Sequence, residues 1–132
     1  MAASRAEAQL FLAKAKQFLE EGGTALDGTR HDAVMLNAIH AAISASDAVT
    51  TALAGRRSAD PDHQRAADLL EEVAAGSGEI KARARQLRQL LARKNIVEYE
   101  SRRATAKEAR DALSRAERFV GWADETVRKA KV

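Results

Sequence analysis

The 132 residues include no cysteine and a single proline, and only 4% are aromatic. Lack of cysteine excludes thiolate nucleophiles, cysteine zinc sites, iron–sulfur clusters and disulfide staples. The scarcity of proline leaves long helices uninterrupted, and the five aromatics (Phe11, Phe18, Tyr99, Phe119, Trp122) are too few for a base-stacking platform. No uninterrupted apolar stretch approaches a membrane span, and Met1–Arg5 open no apolar leader region. A cytoplasmic protein with no membrane partner is the expectation. What is present is 45% hydrophobic and 31% charged side chains, enough for one domain over 1–132 with a real core.

The net charge of +3 conceals an asymmetry. Residues 81–118 carry 12 Lys/Arg against 5 acids, a block of +7 that leaves the remainder at −4. Such a block is a footprint for RNA or another anionic partner. It also suits the solvated outer faces of two helices whose cations pair with acids such as Glu108 and Glu117.

Caps and spacing predict five helices and no strand. Ser4-Arg-Ala-Glu7, Thr29-Arg-His-Asp32 and Thr105-Ala-Lys-Glu108 each have the capping-box pattern, and Asp60-Pro61 offers a fourth start. Gly22-Gly23, Gly55 and Gly76-Ser77-Gly78 mark stops. The helices then run near 5–20, 30–54, 61–75, 79–99 and 105–130. In the last, Ala106, Ala109, Leu113, Ala116, Val120, Ala123 and Val127 repeat at spacings of three and four, a bundle seam that Phe119 and Trp122 broaden. Ile80, Ala84, Leu87 and Leu91 form a similar stripe in the fourth helix, and Leu12, Ala15 and Leu19 in the first. The expected fold class is all-α, an up-and-down antiparallel bundle of four to five helices.

The second helix is apolar nearly all round and should be central. Within it Asn37, His40, Ser44, Asp47 and Thr51 fall on one narrow polar stripe. Burying that stripe unpaired would be costly, so it should face a wet cleft, a polar partner such as a second subunit, or basic residues of the fourth helix. Satisfied interior groups are one reading. A cleft in which Asp47 orients a basic residue and His40 handles protons or binds phosphate is the other. The three histidines, His31, His40 and His63, have no pair spacing that prepares a metal site, so no metal is expected. The glycine pairs lack the Lys-Ser/Thr and the preceding strand of a phosphate loop, and no cofactor is expected.

The run Asn37-Ala-Ile-His-Ala-Ala-Ile-Ser-Ala-Ser-Asp47-Ala, the Gly-Arg-Arg turn after it and Asp62-His63 opening a short helix resemble the HEPN superfamily. Leu90-Leu91-Ala-Arg93-Lys94-Asn95-Ile-Val-Glu98-Tyr99-Glu100 and the capped closing helix extend the likeness over about 8–127, closest to a stand-alone, actinobacterial-type branch. The resemblance implies a helical bundle that dimerises, often encoded with a nucleotidyltransferase partner, and in many members a metal-independent ribonuclease. The nuclease members carry Arg, four to six residues, then His. Here that segment reads Arg93 to Tyr99, with Tyr99 where His is needed and no His after Arg93. The other formal matches, Arg56 or Arg57 to His63, contain Pro61 and lie in the wrong part of the pattern.

Metal-free RNA cleavage needs a base for the ribose 2′-hydroxyl, an acid for the leaving oxygen and a cation for the phosphorane. Arg93 or Lys94 supplies a cation, whereas a tyrosine with a pKa near 10 is a poor base. His40 takes that role only if the second helix faces the fourth across the cleft. The expectation is a catalytically degenerate, homodimeric binding module that takes an RNA, a nucleotide or a protein partner through Asn37, His40, Asp47, Arg93, Lys94, Asn95 and Tyr99. The alternatives are a toxin-like ribonuclease with a non-standard site, with His40, Arg93 and Tyr99 as catalytic candidates and His63 as a further one, and a structural antitoxin or regulatory partner.

Overall fold

The computed structural model of the chain describes residues 2–58 and 63–130. Among the described residues six helices follow one another: α1 (Ala2–Asp27), α2 (His31–Ala54), α3 (Gln64–Glu72), α4 (Gly78–Ala92), the short α5 (Lys94–Glu98) and α6 (Ala106–Lys129). Among the described residues there is no strand. The all-α bundle expected from the spacing is present, and α2 packs against every other helix.

That central place follows from composition. Ala38, Ala41, Ala42, Ala45, Ala48 and Val49 are buried around α2, and their small side chains let α1 and α6 approach closely. Leu12 from α1, Met35 and Ile39 from α2, Leu70 from α3 and Leu87 from α4 supply the fully buried bulk. On α6 the seam residues Ala109, Leu113, Ala116, Val120, Ala123 and Val127 are all buried, together with Phe119 and Trp122. A smaller cluster of Ala25, Val34, Ala109 and Leu113 fills the end of the bundle where α1 turns into α2.

Several expected boundaries are corrected. α1 already includes Ser4, so no capping box starts it there, and it runs through Gly22-Gly23 to Asp27. A side chain at Gly22 would come within 3.0 Å of the Leu113 side chain and 3.5 Å of Asn37 Cβ, so this glycine admits neighbours rather than ending the helix. The true end is a Schellman turn: Arg30 N–H donates to Ala25 C=O at 2.9 Å and Thr29 N–H to Leu26 C=O at 3.0 Å, with Thr29 at φ 59°. Thr29 therefore closes α1 and does not cap α2. Gly55, at φ 65°, ends α2 as expected. The expected third-helix start at Asp60-Pro61 lies outside the described residues.

The fourth helix does not continue to 99. Its last turn tightens, Arg93 N–H donating to Leu90 C=O at 3.1 Å, and the chain resumes as α5. Ser77, in the stretch read as a stop, caps α4 by accepting from Ile80 N–H at 3.2 Å. Thr105 and Glu108 form the full capping box at the start of α6.

Candidate functional site

The middle of α2 places His40, half-buried, against two other rings. Its ring lies 5.4 Å from that of Phe18 on α1 and 6.1 Å from that of His63, which it meets edge-on at 88°. His63 comes from the turn before α3 and, with Leu91, Lys94, Asn95, Glu98 and Tyr99, lines a groove of about 280 Å³. Lys94 is paired with Glu98 at 3.3 Å across one turn of α5. Burial, then the nearby His63 and Lys94 charges, push His40 below its usual 6.5 against an opposing pull from Glu98. His40 is therefore a neutral imidazole at neutral pH, able to accept a proton. Tyr99, 76% exposed, stands at the groove's edge with its hydroxyl open to solvent.

The other candidates lie elsewhere. Asn37 Nδ2 donates to Ala33 C=O at 2.9 Å on its own helix, and its Cβ faces Gly22 of α1. Arg93 turns toward α6, where its Nη1 donates to Asp111, a carboxylate that also accepts from Arg115 Nε at 2.9 Å. Asp47 stands two turns beyond His40, roughly 10 Å along the axis at 1.5 Å per residue. Burial raises its carboxyl from 3.8 to about 6, while Arg57 and a hydrogen bond from the Ser58 backbone pull it down. Arg57 in turn covers the Phe11 ring at 5.4 Å. Thr51, at the end of the stripe, is buried with no partner for its hydroxyl. The polar stripe thus divides among separate surroundings, and only His40 approaches the groove of Lys94, Asn95 and Tyr99, through its contact with His63.

The basic block divides in the same way. Arg88 bridges Asp68 and Glu71 at 2.8 and 2.7 Å, and Arg102 holds Glu100 and Glu108 at 3.0 and 2.8 Å. Sequence reasoning did not join His40 to His63, because the 22 positions between them include a turn whose path no local pattern specifies. The Gly55 stop was the available signal that the chain reverses and returns along α2. Glu98 as the partner of Lys94 was readable from its spacing of four.

A model of the HEPN domain matches residues 8–126. The chain belongs to the HEPN family. A search of curated proteins returns no match. In this HEPN domain the segment Arg93–Tyr99 begins with an arginine held by α6 and ends on an exposed tyrosine where the family's ribonuclease pattern calls for histidine. The groove's one imidazole is His63, from the turn before α3, and His40 of α2 packs against it. No described helix is long and apolar enough to cross a membrane, and no group of three metal-ligating side chains occurs among the described residues.

Proposed function

We propose that this HEPN domain, as one subunit of a homodimer, binds single-stranded RNA in the groove lined by His63, Lys94, Asn95 and Tyr99, with His40 packed against His63. The observation that carries the reading is the convergence of the Lys94 cation, paired with Glu98, the Asn95 amide, the Tyr99 phenol and the His63 imidazole on one surface groove, with the His40 ring packed against His63. Lys94 offers a mobile point charge to a phosphate, and Tyr99 an exposed ring and hydroxyl to a base. The experiment is anisotropy of a labelled oligoribonucleotide in excess chelator. Binding should weaken as salt rises and fall about tenfold in Lys94→Glu, a loss of roughly 1.4 kcal/mol. Unchanged binding in both Lys94→Glu and Tyr99→Ala would remove the groove from consideration.

The edge-on pair of histidines favours a second reading, metal-independent cleavage. His40 would take the 2′-hydroxyl proton as general base, the freed oxygen would attack the adjacent phosphorus, and His63, as general acid, would give a proton to the departing 5′-oxygen. The product is a 2′,3′-cyclic phosphate, and Lys94 would neutralise the phosphorane. Cleavage lost in both His40→Ala and His63→Gln with binding retained supports this reading, and its absence in the unaltered protein leaves the binding module.

A further inference from the structure

On the far side of α4 the basic block does something different. α4 touches α6 lightly, and between them lies a small cavity of about 90 Å³ walled by Arg83, Gln86, Arg115 and Arg118 over a floor of Leu87 and Phe119. No acid lines it. Arg83 Nη1 donates to Gln86 Oε1 at 3.2 Å, and its guanidinium lies 5.5 Å above the Trp122 ring. Arg118 Nη1 donates to Ser114 Oγ at 2.8 Å. Arg115 shares Asp111 with Arg93. Among the described residues neither Arg83 nor Arg118 has a carboxylate partner, whereas Arg88 and Arg102 have two each.

Two guanidiniums without a carboxylate partner and a third that shares one carboxylate with Arg93, around a shallow apolar floor, define a charge, a shape and a size. An excess positive charge of at least two suits a phosphate monoester, which carries about −1.5 to −2 at pH 7. Three guanidinium forks match its three terminal oxygens, whereas a carboxylate offers only two. A phosphodiester brings one charge and needs two exits for its chain. At roughly 10–15 Å³ per water-sized occupant the cavity admits a phosphoryl group and excludes a nucleoside. The organic remainder has a place next door, in a groove of about 620 Å³ that shares Arg83 and Arg118 and runs past Trp122, Leu53 and Thr126.

We propose that the Arg83–Arg115–Arg118 cavity between α4 and α6 is a binding site for a phosphate monoester. It shares no residue with the His40 groove, so either assignment can fail without the other. The shared chemistry is the terminal phosphoryl group, carried by a small ester or by the phosphorylated end of a nucleic acid.

Trp122 is the chain's single tryptophan, and its Nε1 donates to Glu79 Oε1 at 3.0 Å. An anion that draws Arg83 off the indole changes the emission of that one ring. Titration of the full chain with phenyl phosphate should give a saturable fluorescence change that phenol does not produce. Arg118→Gln, which leaves the Arg83–Trp122 contact in place, should weaken phenyl phosphate at least tenfold. Calorimetry on both proteins provides a readout independent of the indole, and circular dichroism shows that the variant is folded. A second arm compares 5′-phosphorylated with 5′-hydroxyl oligoribonucleotide in the Lys94→Glu background. At least tenfold preference for the phosphorylated end identifies a nucleic-acid terminus as the source, and equal binding of the two oligonucleotides beside saturable phenyl phosphate identifies a small ester. A response that fails to saturate, or that is the same in Arg118→Gln, overturns the site. Tighter saturation by an acidic peptide than by phenyl phosphate also overturns it, in favour of a carboxylate-bearing protein partner.

Discussion

The Asp32 carboxylate accepts the backbone N–H of Ala104 at 2.8 Å, fastening the first turn of α2 to the loop before α6 across 72 positions of sequence. Ala104 is buried there, so removing Asp32 takes the protein acceptor from a partly buried N–H. The contact also sets an anion in the first turn of α2, where the exposed amides favour negative charge.

Asp32→Ala should therefore cost about 1–2 kcal/mol in urea unfolding, the range for losing a charge-assisted bond to a partly buried donor. Asp32→Asn keeps an acceptor oxygen and should lose less than half as much. Equal losses in the two variants would mean that the charge matters and the hydrogen bond does not.

Asp32 also shows where sequence reading stops. Thr29 and Asp32 have the same pattern as Thr105 and Glu108, yet only the second pair forms a capping box. In the first, the Schellman turn places Thr29 in the left-handed region, which aims it away from α2 and frees Asp32 for a partner that only the folded bundle brings near. The bundle itself was legible, because the α6 seam, the alanine-rich α2 and the Gly55 stop are local signals. The site was legible only in part. Lys94, Asn95 and Tyr99 sit within six residues and share a groove, but the encounter of His40 with His63 and the removal of Arg93 by Asp111 depend on long-range packing. Arg83, Arg115 and Arg118 come from two helices, and no one-dimensional spacing joins them.

The two adjacent glycines of α1 separate packing from backbone freedom. A side chain at Gly23 would meet nothing within 4 Å, so Gly23→Ala should stabilise the protein by about 0.5–1 kcal/mol, the helix-interior difference between the residues. Gly22→Ala gains the same backbone preference but presses on Leu113 and Asn37. It should be less stable than Gly23→Ala by about 1 kcal/mol or more, the usual range for overpacking. Matched thermal melts of the two variants test the difference, and equal stabilities would deny the close approach of α1 to α6.

Ser46 is buried in α2 with no partner for its hydroxyl. Ser46→Ala removes a desolvated polar atom and substitutes the best helix former, so it should raise stability by about 0.5–1 kcal/mol. A loss of stability on chemical denaturation would mean that the hydroxyl is bonded in solution.

Asp47 makes a pH-dependent prediction whose sign is set by burial. Its carboxyl, raised from 3.8 to about 6, holds a proton in the folded chain that the unfolded chain has already released between those values. Folded-state stability from this group is then greatest below about pH 4, declines as pH rises toward 6 and is flat above. Arg57 and the Ser58 N–H lessen the penalty without cancelling it. Asp47→Asn cannot ionise, so it should exceed the unaltered protein by about 1–3 kcal/mol at pH 8, taking 1.36 kcal/mol per unit as the conversion. At pH 4 the two should agree. His40, depressed by burial, works in the opposite direction below 6.5, and the acids held low by Arg93 and Arg102 lose their pairing at acid pH. All of these are common to both proteins and cancel in the difference. Urea midpoints at pH 4, 6 and 8 measure it directly. If Asp47→Asn proves the less stable at pH 8, the ionised carboxylate is a net stabiliser through Arg57, and the cost of its burial has been offset.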